Sequence, residues 1–120
     1  MWVFIYRIDA REEDVKYMIA YTIRNTGLTY DQNLTGAEAL ITAFGKWKPE
    51  EGLSVQAFVS KVSGNGGYVL VEASDPKAVS SFVSKFNYWN DIDVVPVIDV
   101  AEAVSIGQSS LEWARSSSKG

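Results

Sequence analysis

Glu72 is the residue whose setting most invites chemistry. It sits inside Tyr68-Val69-Leu70-Val71-Glu72-Ala73, a run that is otherwise apolar. Apolar surroundings disfavour a carboxylate's charged form, so its pKa rises and it becomes usable as a general base. Its plainer role is one half of an ion pair with Lys61 or Arg7, or an exposed strand end. Arg7 offers a planar fork of donors that can hold an anion through two parallel hydrogen bonds, or it closes a strand at the surface. Tyr6, Tyr68, Tyr88 and Trp89 supply faces on which a flat organic molecule can lie. Aromatic side chains at such positions also serve as core, or as contact with a second copy. Gln56 and Asp93 flank the same strands and add polar contacts. The candidate ligand site is therefore Tyr6, Arg7, Tyr68, Glu72 and Trp89, with Glu72 the one catalytic candidate.

Other chemistries are excluded or weak. Gly64-Asn65-Gly66-Gly67 lacks the following Lys-Ser/Thr and helix start of a phosphate-binding loop, so it reads as a turn. The acid pairs Glu12-Glu13 and Glu50-Glu51 read as solvated faces. With no histidine and no cysteine, imidazole and thiolate chemistry, disulfides and zinc sites of those ligands are all absent. No metal and no cofactor is expected. A net charge of −4 disfavours nucleic acid, whose phosphates attract a basic face. No apolar run has the roughly 18 residues that suggest a membrane span. Met1-Trp2-Val3-Phe4-Ile5-Tyr6-Arg7 lacks the basic start and the cleavage site of a signal peptide and reads as a strand. A cytoplasmic location is the expectation.

The elements that must position these residues follow from periodicity and turn chemistry. A chain of 120 residues with 47% apolar composition is one globular domain, 1–115, with 116–120 as a disordered tail. Met1 to Ile8 is apolar on both faces and reads as a buried first strand. Asp9 to Arg24 reads as a helix, capped by Asp9 with Glu12 at N3 and burying Val15, Met18, Ile19, Thr22 and Ile23. Leu28 to Leu34 reads as a loop. Thr35-Gly36-Ala37-Glu38 has the pattern of a capping box and opens a short helix to about Trp47. Leu53–Val62 and Tyr68–Ala73 form a hairpin, turning at Asn65-Gly66. That turn places Val59 opposite Glu72, Val62 opposite Val69, and Lys61 diagonal to Glu72. Asp75-Pro76 caps and starts a helix to about Lys85. Asp91 to Ile98 is a last strand, and Pro96 assigns it to an edge. Asp99 with Glu102 opens a final helix reaching Arg115.

Apart from the extra N-terminal helical segment and the C-terminal helix, the order is β-α-β-β-α-β, a ferredoxin-like α+β plan. Helices cover one face of such a sheet. The other face here is also apolar, so a second copy is expected to cover it.

Several residues strengthen this reading: Gly67-Tyr68-Val69-Leu70-Val71-Glu72-Ala73, the following Ser74-Asp75-Pro76, Tyr88-Trp89-Asn90-Asp91 and Asp93-Val94-Val95-Pro96-Val97. With them, Ala37 to Ile98 resembles small uncharacterised bacterial proteins of the dimeric α+β-barrel superfamily. Met1 to Ile8 is similar to the first strand of that family. Asp9 to Asn33 and the tail after Ile98 are longer than its usual pattern. The resemblance implies a homodimer. The superfamily includes cofactor-free monooxygenases and isomerases, and fold alone does not choose among its activities. Two functions are expected: binding or cofactor-free turnover of a small organic molecule in a pocket between sheet and helices, or a non-catalytic homo-oligomerisation or protein-interaction module.

Overall fold

A computed structural model describes residues 14–25 and 28–118. Its elements are β1 (Val15–Ile23), α1 (Tyr30–Lys46), β2 (Leu53–Ser60), β3 (Gly66–Ala73), α2 (Pro76–Phe86), β4 (Asn90–Val97) and α3 (Val100–Ser118). The strands form one sheet in the order β2-β3-β1-β4, and every neighbouring pair is antiparallel. The fold is the ferredoxin-like β-α-β-β-α-β plan of an α+β protein, followed by a C-terminal helix.

The first strand among the described residues is a stretch that sequence spacing places in a helix. Met1–Ile8 lies outside the described residues. The stretch expected as the second half of a helix, Val15 to Ile23, is β1. Two periods coincide in Val-Lys-Tyr-Met-Ile-Ala-Tyr-Thr-Ile. Helical spacing collects Val15, Met18, Ile19, Thr22 and Ile23. Strand spacing collects Val15, Tyr17, Ile19, Tyr21 and Ile23 on one side, all of them β-branched or aromatic. Pairing with β3 and β4 on both flanks decides for the strand. No extra helix precedes α1 among the described residues.

Helix α1 also begins earlier than the Thr35 pattern suggests. Thr29 is the N-cap: its hydroxyl accepts from Gln32 N at 3.1 Å, and Gln32 Oε1 accepts from Thr29 N at 2.9 Å. This capping box takes Gln where the other takes Glu, and it starts the helix within the expected loop. Helix α2 follows expectation, with Asp75 Oδ1 accepting from Lys77 N at 2.9 Å and Pro76 in the first turn.

The β2–β3 hairpin forms, but with a different register. Val59 pairs with Tyr68, and Ser54 is opposite Glu72. The turn spans Lys61 to Gly66. Gly64 N donates to Lys61 O at 2.9 Å, Lys61 N donates to Gly66 O at 2.8 Å, and Gly64 takes the left-handed conformation at φ 81°. Val62 therefore sits exposed at the tip rather than opposite Val69. A bulge between Val55 and Ala57 leaves Gln56 without a partner.

Cross-strand pairing sorts the side chains. One face carries Tyr17, Ile19 and Tyr21 of β1, Val69 and Val71 of β3, Val55 and Phe58 of β2, and Ile92 and Val94 of β4. Helix α2 packs here through Val79 and Phe82, completing the buried core with Ile19, Leu53, Val69, Val71 and Ala73. The other face carries Met18, Leu70, Val95, Val59 and Tyr68, with Lys16 and Glu72 near one end. No described element covers it. Strand β4 bonds only to β1, so Pro96 does lie on an edge strand.

Helix α3 leaves the sheet as a protruding rod. All of its residues are exposed, and it extends through Ser118, beyond Arg115. The long axis of the molecule is 68 Å and its radius of gyration 19.9 Å, against roughly 13–14 Å for a compact chain of this size.

Candidate functional site

The helix-covered face of the sheet is not filled to its edge. Between that face and helices α1 and α2 lies a half-open cleft of about 240 Å³. Ile19, Tyr21, Val69 and Ile92 form its floor. They come from the two central strands and from β4, where alternation aims every second residue to this side. The rings of Phe44, Phe58 and Phe86 form its walls. Phe44 meets Phe58 edge to face at 5.4 Å between ring centres, and Phe82 meets Phe86 at 5.7 Å. Trp47 stacks on Phe82 at 4.8 Å, which ties the end of α1 to α2.

A polar knot outside the cleft holds these walls. Glu50 Oε1 accepts from Trp47 Nε1 at 3.1 Å, while Glu50 Oε2 accepts from Ser81 Oγ at 3.0 Å and from Lys85 Nζ at 2.7 Å. Burial by itself would push the Glu50 carboxyl up. The hydrogen bonds from Lys85, Trp47 and Ser81, with that of its own backbone N–H, outweigh burial and hold it below the usual value.

Only two polar side chains line the cleft among the described residues. Tyr21 donates its hydroxyl to Val59 O at 3.2 Å, and burial pushes its phenol up from the usual value. Asn90 is 4% exposed. Its Nδ2 donates to Phe86 O at 3.0 Å, and its Oδ1 has no hydrogen-bond partner. The sequence reading missed both residues. Tyr21 was assigned to a helix, and Asn90 to a connector. A second, wider recess lies between the α1 N-terminal half and the α2–β4 connector, where Trp89 and Tyr88 are found.

Among the described residues, Tyr68, Glu72 and Trp89 do not share one site. Tyr6 and Arg7 lie outside the described residues. Tyr68 and Glu72 project from the open face of the sheet, away from the cleft. Trp89 borders the second recess, and Gln56 is the bulged residue of β2. Glu72 is directly across from Lys16, not beside Lys61. Lys61 lies over the Tyr68 ring at 5.9 Å. Lys16 Nζ bonds Asp99 Oδ1 at 2.6 Å. That hydrogen bond raises the lysine pKa, burial opposes it, and the charges of Asp99, Glu72 and Glu102 raise it further. Glu72 thus belongs to a surface charge cluster at the root of α3. Asp93 is exposed on the same open face.

Among the described residues, no group of three Asp, Glu, His or Cys side chains could hold a metal ion, and no helix is long and apolar enough to cross a membrane.

Comparison with known proteins places the chain. No curated protein matches it. A solved structure, a dimeric ferredoxin-like protein of unknown function from Thermobifida fusca YX, is similar at 13% identity and a TM-score of 0.32, over 71% of this chain and 92% of that one. The model of a domain of unknown function, DUF3303, matches residues 15–111. That match opens at the first residue of β1, and Met1–Ile8 lies outside it. It continues through the whole sheet and into α3, and the chain therefore belongs to the DUF3303 family.

Proposed function

We propose that this chain is a homodimeric small-molecule-binding protein whose ligand site is the cleft between the sheet and helices α1 and α2. The observation that carries the ligand reading is an unfilled, apolar, ring-walled cleft with two polar side chains, Tyr21 and Asn90, in its lining. Binding sites for small molecules combine these features: a concave apolar lining and a few polar groups that fix orientation. The lining favours binding over acid–base turnover. Its one titratable group among the described residues is Tyr21, and burial moves that phenol further from neutrality.

Thermal-shift screening against neutral one- and two-ring compounds tests the reading. Stabilisation by at least one of them is expected. Leu40→Trp, which narrows the cleft from α1, should remove that response while leaving the unliganded melting temperature within a few degrees. A panel without any stabilising compound overturns the ligand site.

The dimer rests on the uncovered sheet face. Four strands about 4.8 Å apart and eight residues long present roughly 500 Å² of sheet. At its middle are Met18, Ala20, Leu70 and Val95. Charged Lys16, Glu72 and Asp93 lie around these four, so the apolar patch is smaller than the whole face, but it is contiguous and uncovered, and such patches mark contact surfaces. A second copy related by a two-fold axis meets it with the same patch. A cytoplasmic location is part of the same proposal, because a chain without cysteine loses nothing in a reducing compartment. A homo-oligomerisation role without a ligand is the competing reading, and the thermal-shift screen separates the two.

A further inference from the structure

We infer that α3 is an arm exchanged within the dimer: the apolar side of each α3 packs on the other copy and continues the contact made by the open sheet face. This inference rests on the dimer reading, and it adds the helix that extends the interface.

One side of α3 is built for burial. At about 100° per residue, Val100, Val104 and Leu111 share one side, with Ile106 and Trp113 beside them. Glu102, Ser105, Gln108, Ser109 and Glu112 hold the opposite side. The apolar side takes about half the circumference, the width with which a helix meets a core. Yet Val100 is 79% exposed and Trp113 71%, and no described residue covers either.

Composition makes that side matter. Most helical stability in proteins comes from packing an apolar face rather than from propensity. Gly107 interrupts α3 and serines end it, and both are weaker helix formers than alanine. A Cβ at Gly107 would meet nothing within 4 Å, so the single chain sets no steric need for glycine there. Gly107 adjoins the apolar side, where it lets another backbone come close.

The arm springs from the side on which the second copy sits. Asp99, just before α3, holds Lys16 at 2.6 Å. Lys16 projects from the open face beside Val97 of β4. From that rim α3 leaves the body instead of folding back, which gives the molecule its 68 Å length.

Area points the same way. A stable dimer buries about 800 Å² on each partner. The open sheet face offers roughly 500 Å², and its apolar middle less. The 19 residues of α3 form a rod about 28 Å by 10 Å, so one side adds roughly 280 Å². Sheet and arm together approach what a dimer needs. Charge favours protein over membrane as the occupant. The charged residues of α3 are Glu102, Glu112 and Arg115, so it lacks the basic side that draws an amphipathic helix to an anionic bilayer.

Hydrogen exchange of the full chain, read by mass spectrometry across protein concentration, tests the inference. Amides of 100–114 should be protected where light scattering gives twice the chain mass. They should exchange at least tenfold faster after dilution to the monomer. Exchange in α3 that is the same at both concentrations overturns the arm, because the helix is then bare in the dimer or folded on its own chain. Val104→Glu combined with Leu111→Glu gives a second measurement. Both side chains are exposed in the single chain, so the body still folds. This pair should weaken the dimer at least tenfold by sedimentation, while Ser105→Glu combined with Ser109→Glu, on the opposite side, should leave it unchanged. An unchanged dimer in the first pair, or equal weakening by both pairs, overturns the arm and leaves the sheet contact. A wild-type monomer at high concentration overturns dimer and arm together.

Discussion

Gly67 stands opposite Tyr21 across the two central strands, and the tyrosine occupies the room that a side chain at Gly67 would need. A Cβ there would come within 2.0 Å of Val59 O and 2.6 Å of the Tyr21 hydroxyl oxygen. The hydroxyl uses that room to reach over β3 to Val59 O at 3.2 Å. The requirement for glycine is steric. Gly67→Ala should therefore destabilise the fold by about 2 kcal/mol or more, since a backbone carbonyl in a paired strand has nowhere to move. Urea unfolding checks this, and an unchanged midpoint would refute it.

Glu50 should make stability fall in acid. Its folded carboxyl lies below the usual value, so its contribution is complete above the unfolded pKa of about 4.3 and declines as pH falls through the folded one. Glu50→Gln should cost about 1–3 kcal/mol at pH 7 by weakening hydrogen bonds to a charged acceptor. The difference between wild type and variant should shrink below pH 4. A difference that stays constant from pH 7 to pH 3 would show that the carboxylate's charge contributes nothing.

Arg24 holds both the connector after α2 and the start of β4. Its guanidinium pairs with Asp91 at 3.0 Å and donates to Asn87 O. Both members of the ion pair are largely exposed. Asp91→Asn should change stability by less than about 1 kcal/mol. Arg24→Ala should cost more, because it also removes the donor to Asn87 O. Hydrogen exchange across Asn87–Asp91 should quicken in the second variant and barely change in the first. The reverse order would contradict this account.

Association should depend on the middle of the open sheet face. Met18→Glu combined with Leu70→Glu places carboxylates of two facing residues where the second copy would lie. Light scattering after gel filtration should give twice the chain mass for wild type and the single mass for the double variant. A wild-type monomer at high concentration would remove the dimer.

The part of the fold most legible in sequence runs from Leu53 to Pro96. Local chemistry there is consistent: Asp75-Pro76 caps and starts a helix, and Gly64 turns the hairpin, though the turn residues alone do not fix its register. Tyr17 and Tyr21 show why β1 was not legible. A nine-residue segment with apolar residues at both helical and strand spacing is decided by its neighbours in the sheet, which sequence does not display. Glu72 drew attention as a charge within an apolar strand. Both faces of β3 are apolar, so alternation could not tell which one meets the helices, and the carboxylate proved to point away from the cleft. Asn90 carried no local signal at all. It lines a cleft that exists only once α1, α2 and β4 are assembled.

The bulge at Gln56 keeps the Phe58 ring on the wall of the cleft. Before it, Val55 faces Val71, and after it Phe58 faces Val69. Were the same residues paired without the bulge, Gln56 would stand opposite Leu70 and Ala57 opposite Val69, exchanging an aromatic wall for a methyl group, and Phe58 would turn to the open face of the sheet.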